Sequence, residues 1–360
     1  MRSLSKVQTF FNTIRLTGDD ELFIGIDTHK HTYHIAFHLN DSPTLDFVMP
    51  SDPHQLAEKL KPFRCAIKEI AYEAGPNGYS LARTLQKHHL PVSIAATSKT
   101  PRPAAKEDKT DRLDSKKLAC YLSKGLLKPV TIPSVQQEAD RQLCRMRHRQ
   151  RKNGARVKNQ IKSFLLHYGL AEPPGLKHWS AKSINALRTL RLAKPLRLSL
   201  DALLSDLDYH TTRLTSIERL LEETIASTPT GQRIELLQTH PGVGSVTAYH
   251  FVTELFHYNR FKTSCQVVKY IGLAPMIHQS GLKSTSGSIN RDGKAALRCT
   301  LIQAAWRWVA VDVKAKQHFW RICHSNGGIK QKAITAVARK LAVHLWTMLI
   351  KDEPYRAEKA

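Results

Sequence analysis

Four acids in this 360-residue chain are placed as phosphodiester chemistry would need them. Asp27 closes the apolar run LFIGID, and Glu73 closes AIKEIAYE. Asp111 and Asp114 stand at i and i+3 in KTDRLDSKKLA, so a helix there presents both on one face. Acids at strand ends and an acid pair on a helix converge at one edge of a sheet. Converging carboxylates repel one another unless cations lie between them, and such hard oxygen ligands suit Mg2+. Two such ions can clamp the attacking and leaving oxygens of a phosphodiester. Taken singly, each acid reads first as a solvated strand end or an exposed helix face. Their joint placement is what singles them out. Glu69, Glu107 and Asp108 lack it; the last two belong to the polar, Pro-containing loop 101–110.

The elements that must position these acids can be read from the alternation of apolar and polar residues. LFIGID, TYHIAFHL and TLDFVM read as three strands joined by the turns THKH and NDSP. A helix is expected over 53–61, a strand over 66–73, a helix over 77–89 and a strand over 91–96, with the next helix starting near Asp111. This βββαβαβ order predicts an α/β domain, a mixed sheet with helices on its faces, spanning 22–128 behind an N-terminal extension, 1–21. The first 16 residues are basic and mildly amphipathic but lack the apolar stretch of a targeting peptide.

The rest of the chain reads as helical. Fifty-five Lys and Arg against 30 acids give a net charge of +25, more than an enzyme of small molecules needs, and point to a polyanionic partner. No run of 18 apolar residues suggests a membrane span, so nucleic acid is the expected partner. From Arg141 to Lys162 there are nine cations and no acid. Val135, Ala139, Leu143, Met146, Val157, Ile161 and Phe164 have helical spacing, with Gly154 weakening the helix near its middle. Leu200, Leu203, Leu207, Leu214, Ile217, Leu221 and Ile225 place a second long helix over 199–226. The two predict an antiparallel coiled coil within 129–232. Arg141, Arg145, Arg149, Arg156, Lys158 and Lys162 are its expected nucleic-acid contacts. Six scattered Cys without metal-site spacing read as buried, reduced thiols.

The last segment, 233–360, is expected to be mostly helical, most clearly over 294–310 and 329–350. HPGVGSVTA carries the P-G-x-G core of a helix–hairpin–helix, in which Gly242 and Gly244 let backbone amides approach a phosphate. Residues 270–298 form a basic Gly/Ser-rich stretch with serines at 280, 284, 286 and 288, read as a loop feeding a helix. Lys283, Lys294 and Arg298 are its candidate phosphate contacts. The residues alone do not choose among the serines.

GIDTHK, YEAG and KTDRLDSKKLA resemble the RuvC-like domain of bacterial insertion-sequence transposases with a DEDD motif. P-x4-S-G followed by Gly-Lys-x-x-Leu-Arg, with PGVG and GLAP in place, resembles the C-terminal serine transposase domain of the same family. The resemblance spans about 22–350 and implies that Asp27, Glu73, Asp111 and Asp114 hold divalent metal, Mg2+ or Mn2+. It implies Ser280 as the nucleophile, forming a 5′-phosphoserine link to DNA. It further implies an element-encoded guide RNA, donor and target DNA as partners, and a site completed within a dimer or tetramer. The setting would be the bacterial cytoplasm, at the nucleoid. The alternative is a RuvC-like nuclease or junction resolvase with water as nucleophile; a non-enzymatic nucleic-acid binder comes third.

Overall fold

The computed structural model describes residues 13, 16–101, 111–227, 230–280, 283–289 and 293–356, with backbone alone at 98, 227, 277–280 and 283–286. The chain divides into two compact units, 1–132 and 133–360.

The first unit holds a five-stranded sheet in the order β3-β2-β1-β4-β5. Its strands are β1 (Leu22–Thr28), β2 (Thr32–Leu39), β3 (Ser42–Pro50), β4 (Ile67–Glu73) and β5 (Val92–Ala95). The first three form an antiparallel meander, while β4 and β5 run parallel to β1. This is the mixed sheet that the βββαβαβ order predicts. Alternation decides what each face meets. Ile24, Ile26, Ile35, Phe37, Ile70 and Tyr72 pack into one core with α1 (Pro53–Leu60) and α2 (Ser80–Lys87). The second helix is shorter than the expected 77–89, because the chain turns through 74–79 first. Gly25, Ala71 and Ala95 lie on the opposite face, where small side chains admit α3 (Asp111–Ser123) through Leu118 and Leu122. A Cβ at Gly25 would lie 2.3 Å from the Ser115 carbonyl oxygen and 2.5 Å from the Ala119 nitrogen.

In the second unit, α4 (Val135–His167) is capped by Ser134 and Gln137 in a reciprocal capping box. It runs unbroken through Gly154 and pairs with α6 (Lys194–Ser227). Arg147 meets Glu218, Gln150 meets His210, and Val157–Leu165 packs on Leu200–Leu207, so the pair is antiparallel. The connection carries its own short helix, α5 (Ala181–Arg188), whose Leu187 closes the far end of that core. The near half of α4 corrects the expected apolar face. Val135 is exposed, and Arg141 and Cys144 are buried instead. The ends of α4 and α6 enter a second core with α7 (Gly231–Gln238), α8 (Ser245–Leu255), α9 (Ser264–Ile271), α10 (Ala295–Val311), α11 (Val313–Ser325) and α12 (Lys330–Lys351). α12 is long and apolar enough to cross a membrane, but Val337, Leu341 and Leu345 are buried in this core.

The expected Gly/Ser loop is in part a hairpin. β6 (Pro275–Ser280) and β7 (Lys283–Ile289) pair antiparallel, with Ser280 opposite Lys283. The serines and Thr285 fit an extended strand once paired, which glycine and serine content alone conceals. The six cysteines are free, as expected, yet only Cys144 and Cys323 are buried; Cys65, Cys265 and Cys299 are exposed.

Two predictions follow from this packing. Gly25→Ala forces a methyl into the backbone of α3 and should cost the first unit about 3 kcal/mol or more in a denaturant titration. His240 and His250 are buried in the second unit, and burial lowers each pKa from 6.5 to about 4. The unfolded chain therefore takes up protons that the folded chain refuses. The stability they confer is complete above about pH 6.5 and is lost as pH falls toward 4, by roughly 3 kcal/mol per histidine at most. Chemical denaturation across that range should show the loss, and His240→Gln with His250→Asn should flatten it.

Candidate functional site

The site begins with the register of β1 and β4. Ile26 lies beside Tyr72, so Asp27 and Glu73 follow as neighbours at the C-terminal ends of two parallel strands. Both lie two residues beyond the Gly25–Ala71 pair and therefore on the face that α3 crosses. The close approach at Gly25 brings the start of α3, with Asp111 and Asp114, to those strand ends. Asp46 on β3 fixes the helix there. Its carboxylate takes Arg112 through two bonds, 2.5 and 2.9 Å, and Lys116 at 2.8 Å. Burial opposes the charge on Asp46, but the bonds and charges of Arg112 and Lys116 outweigh it and hold the carboxyl below its usual value.

Two histidines complete the cluster. His29 Nε2 lies 3.1 Å from Asp27 Oδ2 and 3.3 Å from Asp111 Oδ2. His34 sits directly across from Asp27 in the β1–β2 register, and its Nε2 is 3.8 Å from Asp111 Oδ2. The donor atoms of Asp27, His29 and Asp111 lie within 4.8 Å of one another. A divalent cation fits this set: ligands about 2.1 Å from an octahedral ion stand roughly 3 Å apart when adjacent. Carboxylate oxygen with imidazole nitrogen suits Mn2+ as well as, or better than, Mg2+. Asp27 is one-quarter exposed and Asp111 half exposed, so the cluster opens to solvent.

The structure thus brings Asp27 and Asp111 together. Glu73 and Asp114 stand at the same edge but outside that three-residue group among the described residues. Glu69 lies farther back along β4, opposite Phe23, and Glu107 and Asp108 fall outside the described residues. His29 and His34 were missed. The signal was available: in a tight hairpin between LFIGIDT and TYHIAFHL, counting outward from the turn sets His34 opposite Asp27.

The expected nucleic-acid contacts divide. Arg141 is a correction: it is 2% exposed, its guanidinium stacked 4.9 Å from the Phe256 ring, because its face of α4 packs toward α8. Lys158 lies over Trp179, and Lys162 pairs with Glu172 at 3.0 Å. Arg298 donates to the Ile271 carbonyl at 3.3 Å, and Lys294 lies over Tyr270, so both also brace the chain. Arg145 is half exposed, 3.9 Å from Glu254, while Arg149 and Arg156 are exposed. Gly242, at φ +84°, and Gly244, at the start of α8, form the PGVG turn. Ser280 ends β6, but its side chain and that of Lys283 lie outside the described residues.

A cation-fitting acid cluster at the edge of a mixed sheet, in a chain of charge +25, is the arrangement that an enzyme working on nucleic acid would need. A model for the DEDD transposase domain of the IS110 type matches residues 24–169, and one described as transposase, IS116/IS110/IS902 family, matches 234–321. The chain belongs to this family of transposases, which are DNA-recombining enzymes. It is 27% identical to the transposase for insertion sequence element IS1111A of Coxiella burnetii, over 76% of this chain and 75% of that one. It is 28% identical to the transposase for IS1328 of Yersinia enterocolitica, over 78% and 82%. It is also 26% identical to the pilin gene-inverting protein of Moraxella bovis, over 56% and 69%.

Mn2+ titration followed by calorimetry should show tighter binding to the wild-type chain than to Asp27→Asn or Asp111→Asn, by at least about tenfold. Without metal, the same variants should melt at an equal or higher temperature, because each relieves repulsion between carboxylates. Unchanged Mn2+ affinity in both would remove the cation from this cluster.

Proposed function

We propose that the protein is the transposase of an insertion sequence, cutting and rejoining DNA through a serine-linked intermediate at a RuvC-like metal centre. The observation that carries this reading is the convergence of Asp27, His29 and Asp111 where β1 and α3 meet. Asp27 and Asp111 hold Mg2+ or Mn2+, His29 adds a nitrogen donor, and Glu73 and Asp114 supply further carboxylates at the same edge. When bound, the cation polarises the scissile phosphate and favours charge on its oxygens.

The Ser280 hydroxyl is the nucleophile. Its oxygen bonds to phosphorus as the bond to the 3′ oxygen breaks. The serine proton is released, the 3′ oxygen takes one up, and the 5′ end remains linked to Ser280. Attack by a new 3′ hydroxyl reverses the step and joins the exchanged strands. The count of phosphodiester bonds is conserved, so no external energy source is required. Serine needs activation at neutral pH. The acid centre supplies it within a homo-oligomer, a dimer or tetramer, in which one protomer's centre serves another's serine. Arg149 and Arg156, exposed on α4, engage an element-encoded RNA that pairs with donor and target DNA. The work takes place at the bacterial nucleoid.

A denaturing gel of the protein with end-labelled DNA tests the chemistry. The wild-type chain should give a protein–DNA adduct. Ser280→Ala should lose it while still binding DNA, and Ser284→Ala and Ser286→Ala should retain it in part. Cleaved ends without an adduct would instead indicate a nuclease that uses water.

A further inference from the structure

The run AAWRW in α10 sends its two tryptophans opposite ways, because residues two apart lie on opposite sides of a helix. Trp308 is buried against His240 and His344, while Trp306 is 43% exposed. On α11, Phe319 is buried and the adjacent Trp320 is 40% exposed. The Phe319 ring lies 5.3 Å from each of the two exposed indoles. Trp306 and Trp320 therefore belong to one patch, and a buried ring braces both. Folding normally hides most of a tryptophan, so two such open indoles side by side mark a surface that meets something.

The surroundings of the patch are basic. His324 lies one turn beyond Trp320. Its ring is tilted 26° from the indole plane with centroids 5.7 Å apart, an offset that widens the platform rather than covering it. Lys330, at the start of α12, holds its ammonium 5.8 Å from the Trp320 ring. Arg321 is exposed, with Nη2 3.1 Å from His318 Nδ1, and Lys316 is exposed one turn before Trp320. α10, α11 and α12 contain no Asp or Glu, and residues 313–351 carry eight Lys and Arg. The acid just before them, Asp312, caps α11 by accepting from the Ala315 amide at 2.7 Å.

This chemistry narrows the occupant. A second copy of the same patch would set Lys316, Arg321 and Lys330 against their like, with no carboxylate on these helices to pair them. Duplex DNA offers phosphates but keeps its base faces stacked inside. Aromatic planes ringed by cations fit a strand whose bases are unpaired, since the rings take base faces and the cations take phosphates. We propose that the Trp306–Trp320 face binds single-stranded DNA, stacking bases on the two indoles and holding phosphates with Lys316, Arg321 and Lys330. The choice of DNA rests on the transposase reading above: strands passed between duplexes must unpair, and this face holds one while it is unpaired. The long Lys330 side chain leaves the indole for a phosphate as a base takes its place.

Fluorescence anisotropy of the full-length chain with labelled oligothymidine, oligouridine and a DNA duplex, each over a range of NaCl, tests the assignment. Trp306→Ala and Trp320→Ala should each weaken oligothymidine binding about tenfold and leave duplex binding unchanged. The slope of log K against log salt should stay the same in both, because a stacked base releases no counterion. Trp320→Leu keeps apolar packing on Phe319 without a ring and should bind as weakly as the alanine variant. Trp320→Phe keeps a ring and should retain most of the affinity. Arg321→Gln should lower the oligothymidine slope by about 0.7. Thermal melts confirm that the variants are folded. Wild-type oligothymidine affinity in Trp306→Ala and Trp320→Leu would overturn the proposal. So would an equal loss on the duplex, a loss confined to oligouridine, or an altered oligomeric state with oligothymidine binding intact. The covalent adduct keeps the two readings apart. If the wild-type chain forms it through Ser280 while the tryptophan variants bind oligothymidine normally, the assignment of this face alone fails. If no adduct forms but those variants lose the single strand, the assignment stands and the serine chemistry fails.

Discussion

The absence of a side chain at Gly25 sets the geometry of the whole first unit. α3 lies so close to β1 there that one methyl group would strike its backbone. That contact converts acids more than 80 residues apart in sequence into neighbours in space. Asp46, gripping Arg112 and Lys116 from β3, locks the helix against sliding, so that Asp111 faces His29 and Asp27. The cluster then costs the fold little. It stands at a solvent-open edge, where water screens the carboxylates, and the His29 ring reaches both Asp27 and Asp111.

Much of this was legible in the sequence, for identifiable reasons. Alternation along LFIGID and TYHIAFHL gives the strands, and their order gives a mixed sheet, because each face has to be covered. Asp27 and Asp111 were accessible to the same logic. What stayed hidden depends on distance rather than pattern. Nothing in KTDRLDSKKLA says how far α3 slides along the sheet, and that offset decides that Asp111 rather than Asp114 meets His29. His34 needed the hairpin register, not merely the existence of two strands.

The long basic helix teaches the opposite lesson. A run of cations without acids looks like one uninterrupted binding face, yet the helix turns some of them into the protein. Arg141 lands against Phe256, Lys158 covers Trp179, and Lys162 finds Glu172. Charge counted along a helix overstates the charge available at its surface, since guanidinium and ammonium stems also serve as packing material. In the same unit the glycine- and serine-rich stretch is a paired hairpin, and the PGVG turn is held rigid by α10. Residues that suggest flexibility in the sequence here build fixed surfaces.

The central claim is that a divalent cation sits where β1 and α3 meet. Anomalous diffraction from crystals of the protein grown with Mn2+ addresses it directly. The account predicts a manganese peak bonded to carboxylate oxygens of both Asp27 and Asp111, with the His29 imidazole at coordination distance. A peak bonded elsewhere, or none at saturating Mn2+ with that edge free of crystal contacts, would contradict it.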